Sequence, residues 1–283
     1  PSPCITMPWA GHLQLRYEHA NGRTVCRDRH DGPLRVLQSL YPEGEAICHQ
    51  VLVHPPGGLV GGDSLTIDLQ VDPGAHALLT TPGATRFYRS TGDRASQQVR
   101  LRLSERARLE WLPLETIAYP ATQASNALDI DLAPGSRLIG WDLLALGLPA
   151  SDQPFDRGRF EQRLSLSGVW LERGVIDAAD RRLLDSPVGW DGHRVLSTLF
   201  ALAGEGCSAG DIDALLEAAR LHIGRSALAA SAGATALPGG RGVVLRVLAP
   251  RVEPALHLLQ AVWGAWRLPW MGCEPIAPRI WRM

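Results

Sequence analysis

Ile67-Asp68-Leu69-Gln70-Val71-Asp72-Pro73-Gly74-Ala75 and Leu128-Asp129-Ile130-Asp131-Leu132-Ala133-Pro134-Gly135-Ser136 share one pattern: an alternating strand that runs into a proline–glycine turn. Between them, Val99-Arg100-Leu101-Arg102-Leu103-Ser104-Glu105-Arg106-Ala107 keeps the strand–turn–strand pattern without proline or glycine. Arg163-Leu164-Ser165-Leu166-Ser167-Gly168-Val169-Trp170 is a looser fourth copy. Alternation at period two marks half-buried strands. Proline pre-sets φ at the second turn position and glycine accepts positive φ at the third. A repeat of about 30 residues points to stacked β layers, none of which buries its apolar face alone. An antiparallel meander with recurrent turns is the alternative that this pattern leaves open.

The alternation extends outward. It covers Leu13, Leu15 and Tyr17, then Ile47, Val51 and Val53. Beyond residue 190 the period changes. Ile212, Leu215, Leu216 and Ala219 recur at helical spacing, with Asp211 as N-cap and Gly224 as stop. A second helix is expected from about Val252 to Arg267, closed by Pro269. Val243 to Leu248 reads as a strand, and Val195 to Ala203 as helix or strand. The expected fold is mainly β, with layered, β-helix-like stacked sheets and a small C-terminal helical part. It forms one domain over 1–283, β-rich over 1–190 and mixed over 191–283.

Composition excludes several classes. The chain has 283 residues, is 45% hydrophobic and 20% charged, and carries a net charge of −1. That balance is ordinary for a globular protein and leaves no electrostatic footprint for nucleic acid or an acidic membrane surface. All 28 basic residues are arginine. The five cysteines (Cys4, Cys26, Cys48, Cys207 and Cys273) are odd in number and lack C-x-x-C spacing. This argues against a disulfide framework and a structural zinc site, and for a reduced, cytoplasmic setting. No signal-peptide pattern opens the sequence. The longest apolar runs reach about half of the ~20 residues that a membrane helix needs.

Two stretches invite a chemical reading. His54-Pro55-Pro56-Gly57-Gly58-Leu59-Val60-Gly61-Gly62-Asp63 is glycine-rich, but it lacks the lysine–hydroxyl ending of a phosphate loop, and a strand follows it. Thr80-Thr81-Pro82-Gly83-Ala84-Thr85-Arg86-Phe87-Tyr88-Arg89-Ser90 offers Arg86 and Arg89 for carboxylates, and Phe87 and Tyr88 as interface anchors. Neither G-x-S-x-G nor H-E-x-x-H occurs, so no catalytic residues are expected and the chain reads as a non-enzyme. The tryptophans at 263, 266, 270 and 281 suit either a partner interface or a helix–sheet core.

Taken as an ordered set, these stretches resemble the urease accessory protein D family, called H in some organisms. Leu109-Glu110-Trp111-Leu112-Pro113-Leu114-Glu115-Thr116-Ile117 continues the likeness. So do Gly140-Trp141-Asp142-Leu143, Gly147-Leu148-Pro149-Ala150, Gly158-Arg159-Phe160 and Pro278-Arg279-Ile280-Trp281. Leu114 and Tyr119-Pro120 depart from the family pattern. The resemblance implies a scaffold that binds urease apoprotein and accessory protein F, and through F the GTPase accessory protein G. It also implies that nickel passes transiently through an internal polar passage, with no tightly bound cofactor. Onto this chain it carries Asp63, Asp142 and Glu172 as lining candidates, with His54 and His76 near the signature loops. Nickel accepts imidazole and carboxylate ligands, and transit needs spaced, weak sites, so no stable metal site is expected. A metallochaperone with its own tight nickel site is the alternative.

Overall fold

The computed structural model describes residues 9–282, so the reading of the extreme N-terminus, with Cys4, lies outside the described residues. In chain order the strands are β1 (Ala10–Ala20), β2 (Arg23–Asp31), β3 (Arg35–Val36), β4 (Ile47–Val53), β5 (Ser64–Val71) and β6 (His76–Thr80). Next come β7 (Thr85–Phe87), β8 (Ala95–Leu103), β9 (Arg108–Leu112), β10 (Thr116–Ala118), β11 (Thr122–Leu132) and β12 (Arg137–Leu146). The remainder are β13 (Gly158–Leu166), β14 (Trp170–Asp177), β15 (Val195–Ala203), β16 (Ala232–Ala236) and β17 (Gly242–Ala249). The helices are α1 (Arg181–Asp185), α2 (Ala209–Arg225) and α3 (Val252–Met271).

These strands build a stacked-coil β-solenoid. One sheet has the order β14-β13-β11-β8-β5-β1-β2; the other runs β16-β17-β15-β12-β9-β6-β4-β3. Each of the first three copies is one coil: a strand of the first sheet, a tight turn, then a strand of the second; the looser fourth copy folds β13 back on β14 as an antiparallel hairpin in the first sheet. The copies stack in parallel, with Ile67 beside Val99 and Val99 beside Leu128. Leu164 extends the same row in β13. All four side chains are at most 4% exposed, each stabilising the fold by about 1.5–3 kcal/mol. The meander alternative fails for the first three copies because their first-sheet strands are parallel and each continues into the opposite sheet; only the fourth copy forms a hairpin.

The three turns are built alike. The amides of Ala75, Ala107 and Ser136 each donate to the carbonyl three residues back, at 3.1 Å. Gly74 and Gly135 sit at φ +74° and +72°, and Arg106 takes the same place at +56°. The left-handed cost of about 1–2 kcal/mol for a non-glycine residue is tolerated there because the layers on either side hold the turn.

The second sheet is covered on its outer face by α2 and α3, whose buried residues pack on Ile139, Leu199 and Leu245. Val195 to Ala203 is a strand, β15, paired on both edges. Ser208, not Asp211, caps α2: its hydroxyl accepts the Asp211 amide at 3.1 Å. Gly224 lies inside the helix, which ends at Ser226. Likewise α3 passes through Pro269 to Met271 and stops at Gly272, φ +74°. A proline this near a helix end removes only one internal hydrogen bond, and burial of Trp270 and Met271 holds the last turn. Trp263, Trp266 and Trp270 are core residues, at most 2% exposed. Trp281 packs with its ring centroid 5.4 Å from Trp263 and 5.5 Å from Trp141.

A polar row through the solenoid as candidate functional site

Inward positions of the first sheet are mostly apolar, and one row of them carries side-chain amides on three neighbouring strands. Gln97, Asn126 and Gln162 are register neighbours on β8, β11 and β13. Each stands two residues before the repeat position of Val99, Leu128 or Leu164, so strand alternation turns all three inward. Gln97 Nε2 donates to Asn126 Oδ1 at 3.2 Å. Asn126 Nδ2 donates to Asp142 Oδ1 at 3.2 Å, and Gln162 Nε2 donates to the other carboxylate oxygen. Asp142 comes from β12 in the facing sheet, where it lies in register with Thr198 and then Arg246. Arg246 pairs with Glu172 of β14.

The row reaches the surface at both ends. Gln97 forms part of a cleft of about 230 Å³ whose other walls include His54, Thr81 and Arg86. At the far end the Arg246 and Glu172 side chains are 43% and 28% exposed. Burial raises the Asp142 pKa to about 6, against the lowering effects of the Gln162 hydrogen bond and the Arg246 charge. Burial pulls the Arg246 pKa down, opposed by Asp142, and pulls that of His54 down, opposed by Asp63. A carboxylate held by neutral amides, with a single arginine beside it, can coordinate a passing cation without closing a full coordination shell around it.

The sequence candidates divide. Glu172 pairs with Arg246, which lies two strands from Asp142 in register, and His54 and Arg86 line one cleft with Gln97. Asp63 is elsewhere: its carboxylate accepts the amides of Trp9 at 3.0 Å and Val60 at 2.9 Å, tying the glycine loop to β1. That loop is a close-packed junction. A Cβ on Gly58 would stand 2.4 Å from the Tyr88 ring, and one on Gly61 2.6 Å from Ser90 Oγ. Phe87 is not an interface anchor. It is fully buried, edge-on to Phe160 at 5.4 Å. Period two turns it inward, while exposed Arg86 flanks it. Tyr88 stacks edge-on with Tyr119 at 4.9 Å beside exposed Arg89. Gln97, Asn126, Gln162 and Arg246 escaped the sequence reading, although the shared repeat position of the three amides was a usable signal.

His76 faces the other way, under α3, in a second polar cluster. Its Nε2 lies 2.9 Å from Glu110 Oε1, and Arg267 Nε donates to Glu110 Oε2 at 3.0 Å. Arg267 also forks onto Glu43, both bonds at 2.7 Å, and Glu43 bonds His49 at 2.6 Å. Burial alone would raise the Glu110 pKa; His76 and Arg267 reverse that and hold it at about 2.

The fold and site define a β-solenoid protein crossed by a buried amide–carboxylate row, with one sheet covered by helices. The profile of the UreD urease accessory protein family matches residues 10–282. The chain is 62% identical to the urease accessory protein UreD of Leptothrix cholodnii, over 98% of this chain and 100% of that protein. It is 56% identical to that of Variovorax paradoxus, over 97% and 99%, and 57% identical to that of Paracidovorax citrulli, over 98% and 100%. The chain therefore belongs to the UreD urease accessory protein family, whose role lies in urease maturation. Among the described residues, no helix is long and apolar enough to cross a membrane.

Proposed function

We propose that this protein is a non-catalytic scaffold and nickel conduit in urease maturation. Nickel is its cargo, held transiently, and the route is the row from the His54–Arg86 cleft through Gln97, Asn126, Asp142 and Gln162 to Arg246 and Glu172. The observation that carries this reading is the row itself: Gln97, Asn126, Asp142 and Gln162 are hydrogen-bonded to one another across the interior, and Arg246, paired with Glu172, lies two strands from Asp142 in register. Isolated buried polar groups cost a few kcal/mol each, so a row that opens at both ends is the mark of a used path. The protein acts in the cytoplasm on urease apoprotein, with accessory protein F as direct partner and the GTPase accessory protein G joined through F. Arg86, Tyr88 and Arg89 remain its surface candidates for those contacts. It binds neither nucleic acid nor membrane.

The test is urease activity and nickel content in cells carrying a urease cluster, with this gene deleted and then restored as wild type or Asp142→Asn. The expected result is inactive, nickel-poor urease on deletion, rescue by wild type, and at least tenfold weaker rescue by the variant. Active, nickel-loaded urease in the deletion strain would refute the maturation role. Full rescue by Asp142→Asn would refute the route.

A further inference from the structure

On the outer side of the second sheet, away from the polar row, three metal-ligating groups converge. His76 ring nitrogen, a Glu110 carboxylate oxygen and Cys273 Sγ all lie within 4.8 Å of one another. They are remote in sequence: His76 opens β6, Glu110 centres β9, and Cys273 follows the end of α3. Positive φ at Gly272 turns the chain there and sets Cys273 over the sheet. His76 and Glu110 are buried, at 5% and 0% exposure, while Cys273 is partly exposed. An ion therefore has access from the cysteine side only.

The donor set is chemically specific. An imidazole nitrogen, a carboxylate oxygen and a thiolate sulfur together suit borderline-soft divalent ions of the late first row. The supporting contacts resemble those around metal ligands, where outer hydrogen bonds fix the orientation of the inner groups. Trp263 Nε1 donates to Glu110 Oε2 at 2.7 Å, while Oε1 lies against His76 at 2.9 Å and accepts longer bonds from Arg267 at 3.1 and 3.2 Å. Arg267 is the obvious competitor for Glu110. It already has a counter-ion, because its fork to Glu43 is shorter than any of its bonds to Glu110. Glu110 can turn Oε1 to a cation without leaving Arg267 unpaired.

We infer that His76, Glu110 and Cys273 form a site for one late first-row divalent cation, such as zinc, cobalt or nickel. The bonds are His76 Nε2 to metal, Glu110 Oε1 to metal and Cys273 Sγ to metal. On binding, the Cys273 S–H bond breaks, its electron pair forms the sulfur–metal bond, and the proton goes to solvent; nothing is oxidised or reduced. Burial pushes the Cys273 thiol up to about 11, so metal and proton compete for the sulfur. Three protein donors leave a position for water, and the positive charge of Arg267 weakens the site. The ion is therefore exchangeable, and it is held by the helix-covered face, outside the lumen.

The experiment titrates cobalt(II) alone into the full chain and reads equivalents bound together with thiolate-to-cobalt absorption in the near ultraviolet. Wild type is expected to bind one equivalent more than Cys273→Ala and to show the thiolate band, which the variant lacks. His76→Gln should weaken that equivalent at least tenfold. Cys273 is partly exposed, so its alanine variant keeps the fold, and circular dichroism checks this. Wild type without the band overturns the inference. So does a band that persists in Cys273→Ala, since it then comes from another cysteine. Asp142→Asn should leave the band unchanged, because the polar row carries no cysteine; its loss there would tie the thiolate site to the row and overturn a separate site on the helix-covered face. Failure of the nickel route in the urease assay leaves this readout untouched.

Discussion

Replacing Asp142 by asparagine should make the protein more stable at neutral pH while impairing its work. The carboxyl titrates near pH 6 in the fold, against 3.8 for its ordinary value. The folded state therefore binds this proton more tightly than the unfolded chain does. Stability contributed by the protonated form is fully present below the unfolded value and is lost as pH rises through the folded one. Two pKa units at about 1.4 kcal/mol each give a penalty of about 3 kcal/mol for the ionised group above pH 7. At pH 5 linkage leaves roughly half of that in force, so between pH 5 and pH 8 the penalty grows by between about 1 and 2 kcal/mol. An asparagine escapes the charge but has one acceptor oxygen for two donor amides, Asn126 and Gln162. Rotation of the Gln162 amide restores the second bond, at a cost that does not depend on pH. The assay is urea unfolding of wild type and Asp142→Asn at pH 5 and pH 8. The expected result is an advantage for the variant that is larger at pH 8 by that amount. A difference that stays constant between the two pH values, or that favours wild type more at pH 8, would refute the account of Asp142 as a destabilised buried charge.

Glu110→Ala should destabilise by about 1–3 kcal/mol, because Arg267 keeps Glu43 while the buried Trp263 Nε1–H and Arg267 Nε–H lose their acceptor; urea midpoints check it. The Glu110 pKa is depressed, so its stabilisation is present above pH 4.5 and is lost as pH falls towards 2; far-ultraviolet circular dichroism against pH should show acid unfolding in that window, and no transition there would contradict the reading. Phe87→Ala should cost about 3–5 kcal/mol as a core truncation, whereas Arg89→Ala should leave thermal stability within ~0.5 kcal/mol of wild type and lower the affinity for accessory protein F in a pull-down. Gly58→Ala should destabilise by about 1–3 kcal/mol, since its methyl group meets the Tyr88 ring and the Arg86 carbonyl; an unchanged melting temperature would mean that the loop yields freely.

The layered fold was legible because a solenoid repeats its local instructions. Alternation and the turn at Asp72-Pro73-Gly74 recur at Ala133-Pro134-Gly135, and the aligned residues Ile67, Val99 and Leu128 are the residues that stack. Helix ends were less legible. Capping depends on which hydroxyl reaches which amide, and that separated Ser208 from Asp211. Pro269 stayed helical because the burial of Trp270 and Met271 outweighs a local preference. Asp142 and Glu172 could be named from motifs, but not the partners that they find in Gln162 and Arg246. The sheets bring Glu172 and Arg246 together from positions more than 70 apart in the chain.

The amino-acid sequence by itself determined the strand period, the turns, the helical C-terminal part and the family, since each rests on residues close together or on motifs in fixed order. Only the tertiary structure decided which polar residues share an interior. It put Phe87 in the core and Asp63 in a loop tie, and it sent His76 to the helix-covered face while His54 lines the cleft. The physical reason is that burial and partnership belong to pairs of residues brought together by sheet register and helix docking, and a linear pattern carries neither distance.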